Sequence, residues 1–198
     1  MLDGFHEEAE FEDLELPDEV VSRAVFERCR FVRCRFDQTT FEDCRFSECT
    51  FERCDLVGVR FVETVLQDVE VRGGRAMGTD LTQVRRLSLA LSFRDVKLDL
   101  SNFAGLPLKG TRFVDCSLRD VVLDECDLRD ASFGGSDLAG ASIRHAQLQR
   151  ADLRGSRSAV LDVATCKLKD TRIDVGTALV ALSDLGLRCE ALEQMFGD

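Results

Sequence analysis

The chain has 198 residues, among them nine cysteines and 14 phenylalanines but neither tryptophan nor tyrosine, and its formal net charge is −11. This length fits one domain. The negative charge argues against a basic surface that binds phosphate groups, and no apolar run is long enough to cross a bilayer. The acidic start, MLDGFHEEAEF, lacks the basic and apolar regions of a signal peptide, so we expect a soluble, cytoplasmic protein.

An acidic segment, residues 1–23, opens the chain. Residues 1–19 hold nine acidic groups and neither Lys nor Arg. Phe11 and Leu16 already have the five-residue spacing of the sequence that follows. We therefore predict an acidic N-terminal segment that adds part of a first turn to the repeats.

Residues 24–81 form a first repeat block in which every fifth residue is apolar or small. A helix repeats near 3.6 residues and a strand near 2, so a period of five fits neither. Units with two inward side chains can close if each turns a corner, and four of them make a square turn of twenty residues that stacks on the next turn. The central residues are Phe26, Phe31, Phe36, Phe41, Phe46, Phe51, Leu56, Phe61, Leu66, Val71, Ala76 and Leu81.

Eight of the nine cysteines share one position, two residues before a central Phe or Leu. Other repeats place Ala, Ser, Thr or Val there, which indicates a buried position for a small side chain. No CxxC pair or nearby His suggests zinc. Reduced, structural cysteines are therefore favoured over disulfides or a metal site. The eight are Cys29, Cys34, Cys44, Cys49, Cys54, Cys116, Cys126 and Cys166.

Between the first block and the second, residues 98–173, the repeat shifts by two positions. Residues 82–97 are thus predicted to be a loop or bulge that breaks the phase, because Arg86 would otherwise occupy an inward position. One interpretation is an inserted surface loop. The other is a contact element in which Gln83, Arg85 and Arg86 bind a partner, since loops on a rigid scaffold often carry recognition.

After Ile173 the repeat gives way to a predicted capping helix and tail, residues 174–198. Asp174 is a suitable N-cap, and Gly186 follows residues with helical spacing. The helix would cover the end of the solenoid. The apolar surface, which continues to Phe196, exceeds what a small cap needs, so we predict a two-fold homodimer contact there. The predicted interface residues are Val175, Ala178, Leu179, Leu182, Leu185 and Leu187.

The repeat units are similar to a known family. Units such as Cys29-Arg-Phe-Val-Arg, Cys126-Asp-Leu-Arg-Asp and Ala151-Asp-Leu-Arg-Gly resemble the A(D/N)LXX signature of pentapeptide-repeat proteins over residues 24–175. The resemblance implies an all-β solenoid, a right-handed quadrilateral β-helix, with a short C-terminal helix.

Nothing in the sequence indicates catalysis. The only histidines, His6 and His145, lie in unrelated places, and no phosphate-binding loop, dinucleotide fingerprint, nucleophile elbow or zinc signature occurs. Packed repeats leave no interior cavity for a substrate. We expect a protein that is not an enzyme, that needs neither cofactor nor metal, and that binds partners through its surface.

Acidic residues recur at spacings of about twenty, which stacks them in columns on the predicted solenoid. A run of charge is ordinarily a solvated face, and that interpretation remains open here. The alternative is a partner-binding acidic surface. Its candidate residues are Glu42, Asp43, Glu63, Asp80, Asp99, Asp120, Asp124, Glu125, Asp127, Asp130 and Asp137.

The C-terminal tract after the repeats, the interrupted solenoid and the acidic surface resemble the Qnr-type and MfpA-type branch of the family. This resemblance implies a homodimer that binds DNA gyrase or topoisomerase IV, mimics duplex DNA and protects the enzyme from a topoisomerase poison, without binding nucleic acid or membrane itself. The alternative is a cytoplasmic scaffold or adaptor that binds another protein through its faces. DNA of about 40 Å carries roughly 24 negative charges, more than the net −11 of this chain.

Overall fold

The computed structural model describes residues 2–187. These residues form a β-solenoid of short parallel strands that ends in one α-helix, which confirms the all-β solenoid with a short C-terminal helix. The first strands are β1 (Phe5–Glu7), β2 (Glu10–Glu12), β3 (Val20–Ser22), β4 (Val25–Glu27), β5 (Arg30–Val32), β6 (Thr40–Glu42) and β7 (Arg45–Ser47). They are followed by β8 (Thr50–Glu52), β9 (Arg60–Val62), β10 (Val65–Gln67), β11 (Val69–Arg72), β12 (Leu91–Arg94), β13 (Arg112–Val114) and α1 (Val175–Asp184).

The strands lie on four faces, because residues twenty apart pair in parallel register. We name each face after its first inward residue. The His6 face has the strand order β1-β4-β7-β10, the Phe11 face β2-β5-β8-β11-β12-β13 and the Val21 face β3-β6-β9. The Leu16 face is joined by single-residue bridges through Glu15, Arg35, Asp55, Arg75, Lys97, Ser117, Asp137 and Arg157.

Phenylalanine rings stack through the interior of the lower turns. The rings of Phe26 and Phe46 are 4.8 Å apart and nearly parallel, and those of Phe31 and Phe51 are 4.7 Å apart. Rings from neighbouring faces meet edge to face, as Phe26 and Phe31 do at 5.3 Å. Both geometries are favourable for aromatic pairs. The interior is therefore filled by rings without polar atoms.

The small inward position also satisfies backbone carbonyls. Cys34 Sγ donates to the carbonyl of Phe11 at 3.2 Å, and Ser136 Oγ donates to that of Phe113 at 3.1 Å. The eight cysteines at this position are free thiols. Burial raises the pKa of Cys49 and of Cys116 to about 11, so these thiols are protonated at neutral pH and are poor nucleophiles.

The corners between faces require a left-handed backbone. The residue two positions after an inward residue has φ near +50° to +65° at most corners, including 23 non-glycine residues. For L-residues other than Asn and Asp this conformation costs about 1–2 kcal/mol. Most of these corners carry polar or charged side chains, but Leu100 occupies one at φ 62° with 63% of its surface exposed.

The phase shift lies within residues 84–90 on the His6 face. Glu63 N still donates to Gln83 O at a spacing of twenty, whereas Val71 pairs with Phe93 at a spacing of twenty-two. The predicted segment 82–97 was therefore too long, because the second block begins with β12 at Leu91. Its first inward residue is Phe93, and the bulkier Leu91 fills the position that small residues usually occupy.

The N-terminal prediction also needs correction. Residues 5–22 form a complete first turn, since β1, β2 and β3 pair with β4, β5 and β6, and Glu15 bridges to Arg35. His6 takes an inward position and stacks on Phe26 at 5.1 Å. The acidic segment is thus part of the solenoid.

The helix α1 ends as the sequence predicts. Gly186 has φ +72°, and its N–H donates to Ser183 O while Leu187 N donates to Leu182 O, both at 2.9 Å. These two bonds form a Schellman motif. At the other end, Asp174 Oδ2 accepts from Gly155 N at 2.7 Å and makes no side-chain capping bond. Residues 188–198 of the predicted tail, with Phe196, lie outside the described residues.

We predict that Leu100→Asn stabilises the protein. Asn tolerates the left-handed conformation that leucine resists, so the free energy of unfolding should rise by up to about 1 kcal/mol. Urea denaturation followed by circular dichroism measures it.

The matched control is Val160→Asn, since Val160 is also exposed but does not have a left-handed backbone. An equal gain in both variants would contradict the role of backbone strain, as would a loss at Leu100.

Candidate functional site

The structure brings six of the eleven predicted carboxylates onto the Val21 face. The register Asp80–Asn102–Val122–Ser142 carries this face across the phase shift, which defines how the two blocks are rotated relative to each other. The six are Glu42, Asp43, Glu63, Asp80, Asp124 and Glu125.

The other five carboxylates lie elsewhere. Asp99 and Asp137 flank inward residues of the Leu16 face, and Asp120 stands at the corner where that face meets the Val21 face. Asp127 is on the His6 face and Asp130 at its corner with the Phe11 face. The predicted acidic surface is thus one face with Asp120 at its edge.

The net charge of the Val21 face is small. Between Val20 and His145, its outward and corner positions hold the six carboxylates and the three arginines Arg23, Arg60 and Arg144, a net charge of −3. The face is acidic, but its charge is carried by separate groups.

Arg85 of the inserted segment binds two of these carboxylates. Its Nη2 lies 3.0 Å from Asp43 Oδ1, and its Nε lies 3.5 Å from Glu63 Oε2. Its backbone N–H donates to Thr64 O at 3.0 Å. In this structure Arg85 therefore points along the solenoid, and Asp43 and Glu63 hold it there.

Three further carboxylates accept local hydrogen bonds. Asp80 Oδ1 accepts from the Thr82 backbone N–H at 2.9 Å and from its hydroxyl at 2.7 Å. Asp124 Oδ1 accepts from Ser142 Oγ at 2.8 Å and Arg144 N at 2.9 Å. Asp99 accepts from the backbone N–H of Arg119 at 3.0 Å. These bonds orient turns and link stacked turns.

Three more form close ion pairs with arginine. Arg129 binds Asp127, Arg150 binds Asp130, and Arg119 binds Asp137 through Nε at 2.9 Å and Nη2 at 2.8 Å. Each arginine lowers the pKa of its carboxyl partner. Asp137 is only 7% exposed and also accepts from Ala139 N, so its role is structural.

Glu42, Asp120 and Glu125 remain as exposed carboxylates that join none of the ion pairs found within residues 2–187. Glu42 and Glu125 lie on the Val21 face itself, and Asp120 lies at its edge. They present unneutralised charge to a partner.

The inserted segment projects beside this face. Val84 is buried and Leu89 packs on the core, while Gln83 and Arg86 are exposed and Arg86 lies over Gly105. Leu87, at the tip, is 86% exposed. The sequence analysis singled out the polar residues here and missed Leu87, although its place at the centre of the phase shift is a usable signal.

The predicted dimer residues divide into two groups. Val175, Leu185 and Leu187 are exposed, whereas Ala178, Leu179 and Leu182 are half-buried. Thr177 and Ala181 are the buried residues of α1. The exposed apolar surface is therefore centred on the two ends of the helix, and the nearby Val160 extends it across the last turns.

These surfaces suit binding. Within residues 2–187 no group of three or more His, Cys, Asp or Glu side chains is arranged to hold a metal ion. The single helix of that region is too short and too polar to span a membrane.

We predict that Asp137→Asn lowers the free energy of unfolding by about 1–2 kcal/mol at pH 7, because it removes a charged hydrogen bond. The lowered pKa means that the wild-type carboxylate stabilises the fold above its unfolded pKa near 3.8. Its contribution is lost as the pH falls towards the folded pKa, so the difference between the two proteins should vanish in acid. Urea titrations between pH 7 and pH 2.5 measure this.

Glu125→Gln is the control, since that exposed carboxylate has no such partner and its loss should change stability by less than about 0.5 kcal/mol. A constant deficit of Asp137→Asn at every pH would contradict an electrostatic cause.

Two family models match the chain. A pentapeptide repeat region matches residues 24–91, and pentapeptide repeats in eight copies match residues 116–155, which together exceed half of the chain. No curated protein matches it.

Several solved structures are similar. Full-length QnrB1, a plasmid-mediated fluoroquinolone resistance protein, is 22% identical, with 90% of this chain and 100% of that chain covered and a TM-score of 0.49. HetL, a pentapeptide-repeat protein involved in heterocyst differentiation regulation in Nostoc sp. strain PCC 7120, is 18% identical, with 84% and 87% covered and a TM-score of 0.35. A pentapeptide-repeat protein of the Arabidopsis thaliana thylakoid lumen is 22% identical, with 59% of each chain covered and a TM-score of 0.33.

The repeat models and the twenty-residue register of the four faces agree on one assignment. The chain belongs to the pentapeptide-repeat family.

Proposed function

We propose that this protein binds DNA gyrase or topoisomerase IV through the Val21 face and protects the enzyme from a topoisomerase poison, as an antibiotic-resistance or self-immunity factor in the bacterial cytoplasm. The observation that carries the proposal is the continuity of the Val21 face. Its carboxylates line one side of the rod on both sides of the phase shift. A narrow rod with one acidic side has a shape and charge that suit a surface built for duplex DNA.

The charge of this face limits how the mimicry works. Duplex DNA presents about one negative charge per 1.7 Å, far denser than the net −3 of the Val21 face. Bulk charge alone would not compete with DNA. We therefore assign the recognition to particular carboxylates, Glu42 and Glu125 with Asp120 at the edge, each of which can meet a lysine or arginine of the partner.

The inserted segment supplies the second part of the contact. It projects at the corner of the Val21 face, with Gln83, Arg86 and Leu87 exposed. Arg85 is held by Asp43 and Glu63, so it positions the segment for the partner. Exposed groups on a rigid scaffold bind at lower entropic cost than mobile ones.

We expect the double reversal Glu42→Lys and Glu125→Lys to weaken protection at least tenfold. Two attractive contacts become repulsive against a cationic partner surface. The measurement is DNA supercoiling by purified gyrase in the presence of a fluoroquinolone, titrated with each protein.

The control is Glu27→Lys with Glu48→Lys, which makes the same change of charge on the His6 face and breaks none of the ion pairs above. Equal loss in both variants would assign the effect to net charge. If the unaltered protein neither rescues nor inhibits gyrase over a wide titration, the proposed function is wrong.

We also propose that the protein is a homodimer joined at the C-terminal end. Val175, Leu185 and Leu187 expose apolar surface at the end of the solenoid, where a two-fold contact would bury it from both copies. A dimer would extend the Val21 face into a longer rod with two-fold symmetry, which suits a two-fold symmetric enzyme.

Leu185→Glu should convert the dimer into a monomer of 22.1 kDa in light scattering, since a buried carboxylate would oppose the contact. Leu87→Glu is the matched control, because it places the same charge on a more exposed leucine outside the helix. A monomeric unaltered protein, or an unchanged mass for Leu185→Glu, would contradict this interface.

A scaffold or adaptor that binds another cytoplasmic protein is the second candidate. The local use of most carboxylates favours it, because a surface of discrete contacts fits a protein partner of any class. Supercoiling assays separate the two functions.

A further inference from the structure

The two ends of the solenoid differ in how they are closed. After the last turn the chain continues into α1. The first turn, residues 5–22, has no turn below it within the described residues, and only the buried side chain of Leu2 reaches its interior. This lower end is a sheet edge on four sides.

The backbone of that edge is ready to pair. In the second turn, Val25, Arg30 and Thr40 donate their N–H groups downward to the carbonyls of Gly4, Ala9 and Glu19. The equivalent residues of the first turn are Phe5, Glu10 and Val20, by the register of β1, β2 and β3. Their N–H groups point to the side where the solenoid has no further turn, which is the geometry of an edge that another strand can extend.

The side chains at this end are unusually apolar for an edge. Phe5 and Val20 are 60% and 61% exposed. The inward residues Phe11 and Leu16 are only partly buried, although their equivalents in the next turn are fully buried. The ring nitrogen Nε2 of His6 is buried and has no hydrogen-bond partner in the described structure. An apolar floor with open backbone groups favours association with a like edge.

Charge opposes that association. The first turn and its N-terminal flank carry nine carboxylates. Four arginines of the second turn pair with six of them, as Arg28 does with Glu8 at 3.1 Å and Arg33 with Asp13 at 2.8 Å. Together with Arg23 of the turn itself, five cations face nine anions, which leaves −4 at this end. Asp3, Asp18 and Glu19 join none of the ion pairs within the described residues.

We propose that the carboxylates of the first turn form an electrostatic end cap, and that without this charge the open edge pairs with the same edge of a second copy. Two ends of −4 repel each other at contact distance, which is within the Debye length at physiological salt. The cap leaves the C-terminal end and the faces as the available surfaces. The inference does not depend on gyrase.

The test neutralises the three unpaired carboxylates. Asp3→Asn, Asp18→Asn and Glu19→Gln together keep the shape of each side chain, and Asn suits the left-handed corner at position 18. Light scattering at pH 7.5 and about 0.15 M salt should show a mass at least twice that of the unaltered chain, rising with concentration. An unchanged mass would overturn the proposal.

Two further variants locate the contact. Glu42→Gln, Asp120→Asn and Glu125→Gln remove the same charge from the Val21 face and its edge, and should leave the mass as it was; association there too would show a general effect of net charge and refute the cap. Adding Phe5→Glu and Val20→Glu to the neutralised variant should restore the original mass. Continued association would mean that another surface is used. Circular dichroism checks that each variant is folded.

Discussion

The hydrogen bond between stacked turns is the interaction on which the rest of this structure depends. Backbone N–H groups donate to carbonyls 21 residues back, as Arg30 does to Ala9, or 19 residues ahead, as Glu8 does to Glu27. This ladder places equivalent repeat positions directly above one another. Ring stacks on ring, a small thiol or hydroxyl reaches a carbonyl below, and an arginine stands above a carboxylate. Each of these contacts follows from the same register.

The register also explains why an insertion of two residues is confined to one face. On the Phe11 face the ladder runs without interruption from β11 to β12 and β13. On the His6 face it stops at β10 and resumes as a bridge between Pro107 and Asp127. Proline has no N–H to donate downward. Pro107 therefore loses nothing above an irregular segment, and the bulge at residues 84–90 sits where the ladder needs no partner.

Much of the fold could be predicted because the period of five is visible in the sequence and has one simple geometric solution. Phe26 to Leu81 and the end of α1 at Gly186 follow from spacing and from the conformational freedom of glycine. Phe93 was missed because Leu91, a large residue, stands where small ones are usual. The first turn was underestimated because His6 replaces an apolar inward residue. The pairing of Arg85 with Asp43 spans 42 residues and an insertion, and no repeat rule predicts it.

The sequence located acidic residues well and their roles poorly, and the reason is physical. A carboxylate that binds an arginine of its own chain presents a neutral pair to the solvent, and its field at a partner is that of a dipole. Asp127, Asp130 and Asp137 are of this kind, and Asp43 and Glu63 share Arg85. Counting acidic residues thus overstates the charge that a partner meets. On the Val21 face the groups that keep their full charge are few and well separated, so specificity in this rod depends on where single carboxylates stand.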